Sequence, residues 1–220
     1  MSREGSDHEG HTILEGFYRL SKPRDLVREL WNWERCKDRI RSLQGQLGFS
    51  DADALRFLGL SLFLEDGSIY DELRNKPSED SVSVYFILFG YANAKLAPET
   101  SNLISYRQLS GGQAYYKAFM ERAIQPLAVT FGSKPKMFVE ATKLLGGAPQ
   151  TFGEYSAKIY ALPLVPLTII LWAETEEFPA SANILFDSNA NNYLTTEELA
   201  GLGGLTFLRL KHAAEVLETT

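Results

Sequence analysis

Residues Leu162–Leu205 read LPLVPLTIILWAETEEFPASANILFDSNANNYLTTEELAGLGGL, and this stretch decides the architecture. From Leu167 to Trp172 the run carries no polar alternation, so it predicts a strand buried on both faces at the centre of a sheet. An acidic turn (Glu174, Glu176, Glu177) then gives way to a second short apolar run, Ala182 to Phe186. With Ala157 to Ala161 upstream, these runs read as three consecutive strands. An Asp/Asn-rich loop follows and opens a closing helix from about Thr196, with Gly201 to Gly204 as a point of possible interruption.

Working outward, Ser21 and Pro23 read as a cap and first turn for a helix to about Leu43, with Leu26, Leu30, Trp33 and Ile40 on one face. Trp31 and Trp33 point in different directions on that helix, leaving one of them able to contact a partner or ligand. Ala54 to Leu64 and Ser68 to Leu73 flank Asp66-Gly67, the chemistry of a hairpin turn. Ser81 to Leu96 fits both a buried helix and an alternating strand, and its length favours the helix. Leu103 to Tyr106 reads as a short strand. Ser110-Gly111-Gly112 opens a helix from about Gln113 to Ile124, which Pro126 kinks or restarts before Gly132. A last internal helix, Lys134 to Leu145, stops at Gly146-Gly147.

Bulk composition sets the class. A chain of 220 residues with 45% hydrophobic and 23% charged side chains is long enough to bury a substantial core. The expected organisation is a tail over residues 1–12 and one α+β domain over 13–220, whose first part, 13–50, is a helical extension. A net charge of −6 offers no electrostatic footprint for nucleic acid or for an anionic membrane surface. Cys36 stands alone, which excludes a disulfide framework and thiolate-ligated zinc or iron–sulfur sites within the chain. The polar N-terminus lacks an apolar signal segment, and no apolar run is long enough to span a bilayer, so a cytoplasmic protein is expected.

The sharpest candidate site is the loop from Asp187 to Glu198. Asp187, Asn189 and Asn191 fall at positions 1, 3 and 5 of a calcium-binding loop, Tyr193 supplies the carbonyl of position 7, and Glu198 the carboxylate of position 12. Against that reading, Asn192 stands where such loops hold glycine, and the segment from Pro179 is too short for an entering helix. The same letters also describe a strand-to-helix turn with a capping box, Thr195-x-x-Glu198.

Three other features carry possible chemistry. Ser110, Gly111 and Gly112 at a helix start could receive an anion with help from Arg107, although no Walker lysine follows. His8 and His11 have an H-x-x-H spacing in the tail but lack further ligands. Paired carboxylates such as Glu177 and Asp187 could do acid–base work if they converged in one pocket. For a hydrolytic triad there is little to assemble, since His212 is the only histidine outside the tail.

The segments LPLxPLxIILW and EEFPAxANILFD, with Tyr193, Leu194 and Glu197 downstream and ISYRxLxGG at Ile104–Gly112, resemble an uncharacterised prokaryotic family classed only as a domain of unknown function. The resemblance covers roughly residues 20–215 and is strongest over 160–200. It implies occurrence mostly in anaerobes. Some relatives carry a four-cysteine iron–sulfur module like that of corrinoid iron–sulfur proteins, which this chain lacks. A link to corrinoid or one-carbon metabolism is implied by association alone.

Together these readings predict an α+β fold, a mainly antiparallel sheet of about five strands covered by helices. The function expected is a non-catalytic accessory domain that binds a small ligand or a protein partner. Its candidate binding residues are Tyr106, Arg107, Ser110, Gly111, Gly112, Trp172 and Glu177, with Tyr115 and Tyr116 beside them. Calcium binding at Asp187, Asn189, Asn191, Tyr193 and Glu198, and an enzyme using Glu177 and Asp187, stand as alternatives.

Overall fold

A computed structural model describes residues 24–219, so Ser21, Pro23, His8 and His11 lie outside the described residues. The fold is α+β, with two antiparallel sheets rather than one. Helices α1 (Arg24–Leu30) and α2 (Trp33–Arg41) replace the single expected helix. Asn32 causes the break. Its Nδ2 donates to Glu29 O at 2.8 Å, closing α1, while its Oδ1 accepts from Arg35 N at 3.1 Å as the N-cap of α2. The break frees the two tryptophans to pack separately. Trp31 lies edge-on to Phe86 and Phe89, and Trp33 sits against Tyr85 and beneath Arg41.

The first sheet is a meander of β1 (Ala54–Phe57), β2 (Leu60–Phe63), β3 (Ile69–Asp71) and β4 (Lys76–Pro77) in that order. The expected single strand over 54–64 is therefore two, folded back at Leu58-Gly59. Both turn residues have positive φ, +48° and +69°, as a tight two-residue hairpin needs. The expected turn at Asp66-Gly67 joins β2 to β3, and Asp66 accepts from Ser68 N at 2.8 Å. Helix α3 (Ser81–Tyr91) follows and is buried on nearly every side, which is why its sequence showed no wet face.

The second sheet has the order β5-β9-β8-β7-β6, from β5 (Leu103–Ser105), β6 (Ala148–Pro149), β7 (Tyr155–Leu162), β8 (Val165–Trp172) and β9 (Ser181–Asp187). Strand β8 is central, and Val165 to Leu171 are all buried, as its unbroken apolar run predicts. Pro166 is tolerated there because the β7–β8 register slips between Tyr160 and Leu162, next to the missing N–H. One sheet face (Ile159, Leu167, Ile169, Leu171, Ile184, Phe186) packs under α5 (Gln125–Phe131) and α6 (Pro135–Leu144). Helix α4 (Gly112–Phe119) runs into one wide π-type turn, Met120–Ile124, before α5. Pro126 sits just beyond and has no N–H to return to the preceding turn.

The closing helix α7 (Thr196–Thr219) is not interrupted at its glycines. A side chain at Gly203 would run into the Phe119 ring, so glycine here lets α7 approach the stacked pair Tyr106–Phe119, whose rings lie 4.1 Å apart. Further along, α7 grips the meander through Arg209, which is fully buried. All five guanidinium N–H groups have acceptors: Leu58 O, Gly59 O, both oxygens of Asp71 (2.6 Å each) and His212 Nδ1 at 3.0 Å. Asp71 also accepts from Arg74 Nε at 2.6 Å and from the amides of Leu73 and Arg74.

This seam makes stability depend on pH. Burial, then Arg74 and Arg209, drive the His212 imidazole down to about 3, while Asp71 pulls the other way. Burial pushes Asp71 up, but Arg209 and Arg74 outweigh it and hold the carboxyl well below the usual range. Asp80, nearby, is raised by burial. An unfolded chain protonates His212 near 6.5 and the folded chain only near 3, so this contribution is full above pH 6.5 and is lost as pH falls through that window. Asp71 adds to the loss below the ordinary carboxylate range, and Asp80 lessens it. Urea unfolding across pH should show stability falling between pH 6 and 4 with a slope of up to about 1.4 kcal/mol per unit. His212→Asn, whose Oδ1 can still accept from Arg209, should flatten it. Arg209→Met should cost about 3–5 kcal/mol at pH 7 by stranding Asp71.

Candidate ligand groove

The loop that leaves β9 is a polar knot. Asp187 is buried, and its two oxygens take four hydrogen bonds: Thr100 N (3.0 Å) and Ser101 N (2.8 Å) on Oδ2, Thr100 Oγ1 (2.7 Å) and Asn189 N (3.1 Å) on Oδ1. The bond to Ser101 holds that residue at φ +58°, in the left-handed region. Asn189 Nδ2 donates to Pro98 O, and Tyr193 Oη donates to Ala97 O while accepting from Ala97 N. Lys95 N reaches Asn192 O at 2.8 Å, and Ser188 N reaches Asn102 O at 2.9 Å. The irregular segment 95–102 thus takes its shape from residues 187–193.

The capping box is also present. Thr195 N donates to Glu198 Oε2 at 2.7 Å, and Glu198 N donates to Thr195 Oγ1 at 3.3 Å. Asn191 Oδ1 accepts from Ser110 N at 3.0 Å, and its Nδ2 donates to Leu194 O and Thr196 Oγ1. A strand, not a helix, leads into the loop. Every side chain of the expected calcium set is engaged in turn, cap or tether. Among the described residues no group of three or more His, Cys, Asp or Glu side chains is placed to hold a metal ion.

The other expected site residues do not share one place. Tyr106 is buried, its hydroxyl on Thr196 O at 2.9 Å and its ring stacked on Phe119. Arg107 lies over the Tyr116 ring at 3.8 Å, and Tyr115 is part-exposed nearby. Ser110 N and Gly112 N already donate, to Asn191 and to Leu109 O, so this corner offers an anion fewer free donors than its glycines suggested. Gly111, at φ +77°, is a turn residue at the start of α4. Trp172 pairs with Ser181 at the far end of the sheet, and Glu177 lies in the exposed turn beyond it. Asp187 ends β9 and Ser181 begins it, a span of roughly 20 Å at strand rise. Glu177 and Asp187 therefore do not converge, which corrects the carboxylate-pair reading.

What the knot builds is a groove of about 620 Å³. One wall is Leu96, Ala97, Pro98 and Glu99; the other is Tyr160, Pro163 and Leu164 around the β7–β8 turn, with Tyr193 lining it too. The turn is fixed by Tyr91, whose hydroxyl accepts from Leu164 N at 3.2 Å and donates to Leu47 O at 2.9 Å. Its ring lies 6.1 Å from that of Tyr193. Leu96 is 75% exposed and Tyr160 49% exposed. Beside them Glu99 bridges Lys158 Nζ and Tyr160 Oη, the latter at 2.9 Å, and the Lys158 ammonium lies 4.8 Å from the Tyr160 ring centroid. Partial burial works against the Lys158 charge, but its bonds to Glu99 and Tyr160 raise its pKa above the ordinary value. A smaller polar recess of about 280 Å³, lined by Asn93, Lys95, Asn192 and Glu198, also has Tyr193 in its wall.

Sequence reasoning missed Glu99, Lys158 and Leu96. One signal was available: Lys158 and Tyr160 alternate on an otherwise apolar strand, which puts a charge and an aromatic hydroxyl on the same face. Glu99, 59 residues upstream, had no local signal.

Residues 41–209 match the family model described as Domain of unknown function (DUF3786), and the chain belongs to that family. No curated protein and no solved structure matches the chain. Among the described residues no helix is long and apolar enough to cross a membrane.

Asp187→Ala would leave the donors of Thr100, Ser101 and Asn189 without their acceptor and should cost about 2–4 kcal/mol in urea unfolding. Millimolar calcium should leave the wild-type Tm unchanged, because the carboxylate already spends all its acceptor positions. A calcium-dependent rise that Asp187→Ala removes would restore the metal reading.

Proposed function

We propose that this chain is a non-catalytic binding domain and that its ligand seats in the groove between residues 96–99 and the β7–β8 turn. The observation that carries the reading is the pairing of a fixed apolar cleft with exposed Leu96 and Tyr160 at its mouth. Its size falls within the usual range for small-ligand sites, roughly 300–1,000 Å³. Large apolar side chains held open to water beside a prebuilt cleft have little to gain until something covers them.

The distribution of acid–base chemistry supports binding over catalysis. Asp71, Asp80 and His212, which burial and charge displace, lie at the meander–α7 seam and none lines the groove, while Lys158 beside the groove is shifted upward and so held as the cation. Among the described residues the donor set gives the corrinoid association implied by the resemblance no support. His212 is buried with Nδ1 on Arg209, and Cys36 is buried, its thiol pushed up by burial. Neither stands at the groove as a ligand for cobalt or for a cluster, so the reading is carried without either group.

Phenol, a small uncharged aromatic, is a direct probe. In an NMR titration it should shift the amide signals of Leu96, Ala97, Glu99, Tyr160 and Leu164 saturably. The double substitution Leu96→Asp/Tyr160→Asp should abolish those shifts while the amide signals of the sheet core stay dispersed, which separates loss of the site from loss of the fold. Shifts confined to other regions, or none, would overturn the assignment.

A further inference from the structure

The ligand's class can be read from how the groove's polar groups are already committed. Lys158 and Glu99 are paired with one another, so the rim presents both charges with no net charge of its own. A ligand carboxylate approaching Lys158 would meet Glu99, and a ligand ammonium approaching Glu99 would meet Lys158. Either end brings a like charge close to a partly desolvated group. An uncharged amide escapes both penalties. Its N–H can donate to a Glu99 oxygen, each of which holds one bond from Lys158 or Tyr160 and keeps a further lone pair. Its C=O can accept from the Lys158 ammonium, which has three donors and keeps one after Glu99 and Tyr160 are served.

The main chain adds a second, independent observation. Along segment 95–99 the groups of Ala97 and the carbonyl of Pro98 are taken by Tyr193 and Asn189. The backbone N–H and C=O of Leu96 and of Glu99 bond to none of the described residues. These groups belong to a segment held in place from behind, beside the exposed Leu96 side chain. A fixed stretch with unpaired amide and carbonyl groups, next to Tyr and Pro walls, matches how domains receive extended peptides: main-chain bonds for affinity, an apolar pocket for a side chain.

We infer that the groove receives an internal, extended peptide segment of a partner protein, seating an aliphatic side chain between Leu96, Pro163 and Leu164 and an uncharged backbone amide at the Glu99–Lys158 pair. The inference rests on the groove being the binding site. It excludes a chain terminus, which would carry a charged carboxylate or amine to the rim, and it excludes charged metabolites on the same ground.

Three compounds with one isobutyl side chain separate these cases: N-acetyl-leucine N-methylamide as the internal segment, N-acetyl-leucine as a C-terminus, and leucine amide as an N-terminus. NMR titration of the full chain with each should give saturable shifts centred on Leu96, Glu99, Tyr160 and Leu164. The uncharged compound should bind roughly fivefold more tightly than either charged one, the worth of about one mismatched polar contact. In Glu99→Gln/Lys158→Met, which removes both charges together, the preference should shrink to near unity while the apolar contact persists. Equal or better binding of a charged compound to the wild type overturns the peptide inference and leaves the groove assignment intact. If none of the three, nor phenol, perturbs the groove, both fall. A preference that survives the double substitution shows that the ion pair does not select, and this too refutes the inference.

Discussion

Four hydrogen bonds on the carboxylate of Asp187 fix the part of this molecule on which the rest of the site depends. The residue ends a strand of the main sheet and is buried, so leaving it as an unpaired charge would be costly. Its acceptor capacity is met by a segment that has no ladder of its own, residues 100–101, and by the turn that follows it. One side chain thereby gives an irregular stretch the definition that regular secondary structure would otherwise supply. Asn189 and Tyr193 repeat the device one and two steps further along, at Pro98 and Ala97. Without these tethers the wall carrying Leu96 and Glu99 would be an ordinary mobile loop, and no cleft would persist against the β7–β8 turn.

The seam around Arg209 solves a different problem. It joins the four-stranded meander to the closing helix through groups 138 residues apart in sequence. A buried ion pair is weak warrant for stability by itself, because desolvating two charges offsets much of their attraction. Here every guanidinium N–H has an acceptor, and two of those acceptors are the carbonyls of Leu58 and Gly59. That geometry ties the pair to one backbone turn, so its contribution lies in fixing the meander's position on α7. Saturation also argues against chemistry at this place. A group that must exchange protons or hold a substrate needs a lone pair or a donor to spare, and Arg209 has none.

Much of the fold was legible in the sequence wherever local chemistry decided it. The central strand showed itself by lacking alternation, the Asp66-Gly67 turn by its residue types, the capping box by spacing, and the stop of α6 by Gly146, which sits at φ +74°. The failures have physical causes. Leu58 adopts positive φ, which sequence gives no reason to expect of leucine, so one apparent strand hid two. Asn32 is a residue equally at home on a helix surface, and only its two backbone bonds reveal that it divides α1 from α2. The glycines of α7 looked like a break because propensity was weighed without the Phe119 ring that one of them admits. The site was hardest to see. The Asp187 loop stood out as exceptional and its turn with a capping box was legible beside the calcium alternative, but neither reading reached the Asp187 partners, amides nearly ninety positions upstream. No period or motif encodes such a pairing.

The two readings of that loop carry their own lesson about the groove. Alternating Asp and Asn side chains are oxygen-rich whichever partner they serve, so a calcium-like spacing and a backbone-tethering loop are indistinguishable until the acceptors are counted. Once Asp187, Asn189 and Asn191 are spent on the protein's own amides and carbonyls, the polar capacity left over lies elsewhere. It sits on the next segment out, at the main chain of Leu96 and Glu99 and at the Lys158–Glu99 pair. The groups left over are those of the backbone that the conspicuous side chains immobilise. The tethers thus set a backbone edge and a paired, net-neutral rim beside an apolar cleft, an outcome that no single side chain of the loop announces.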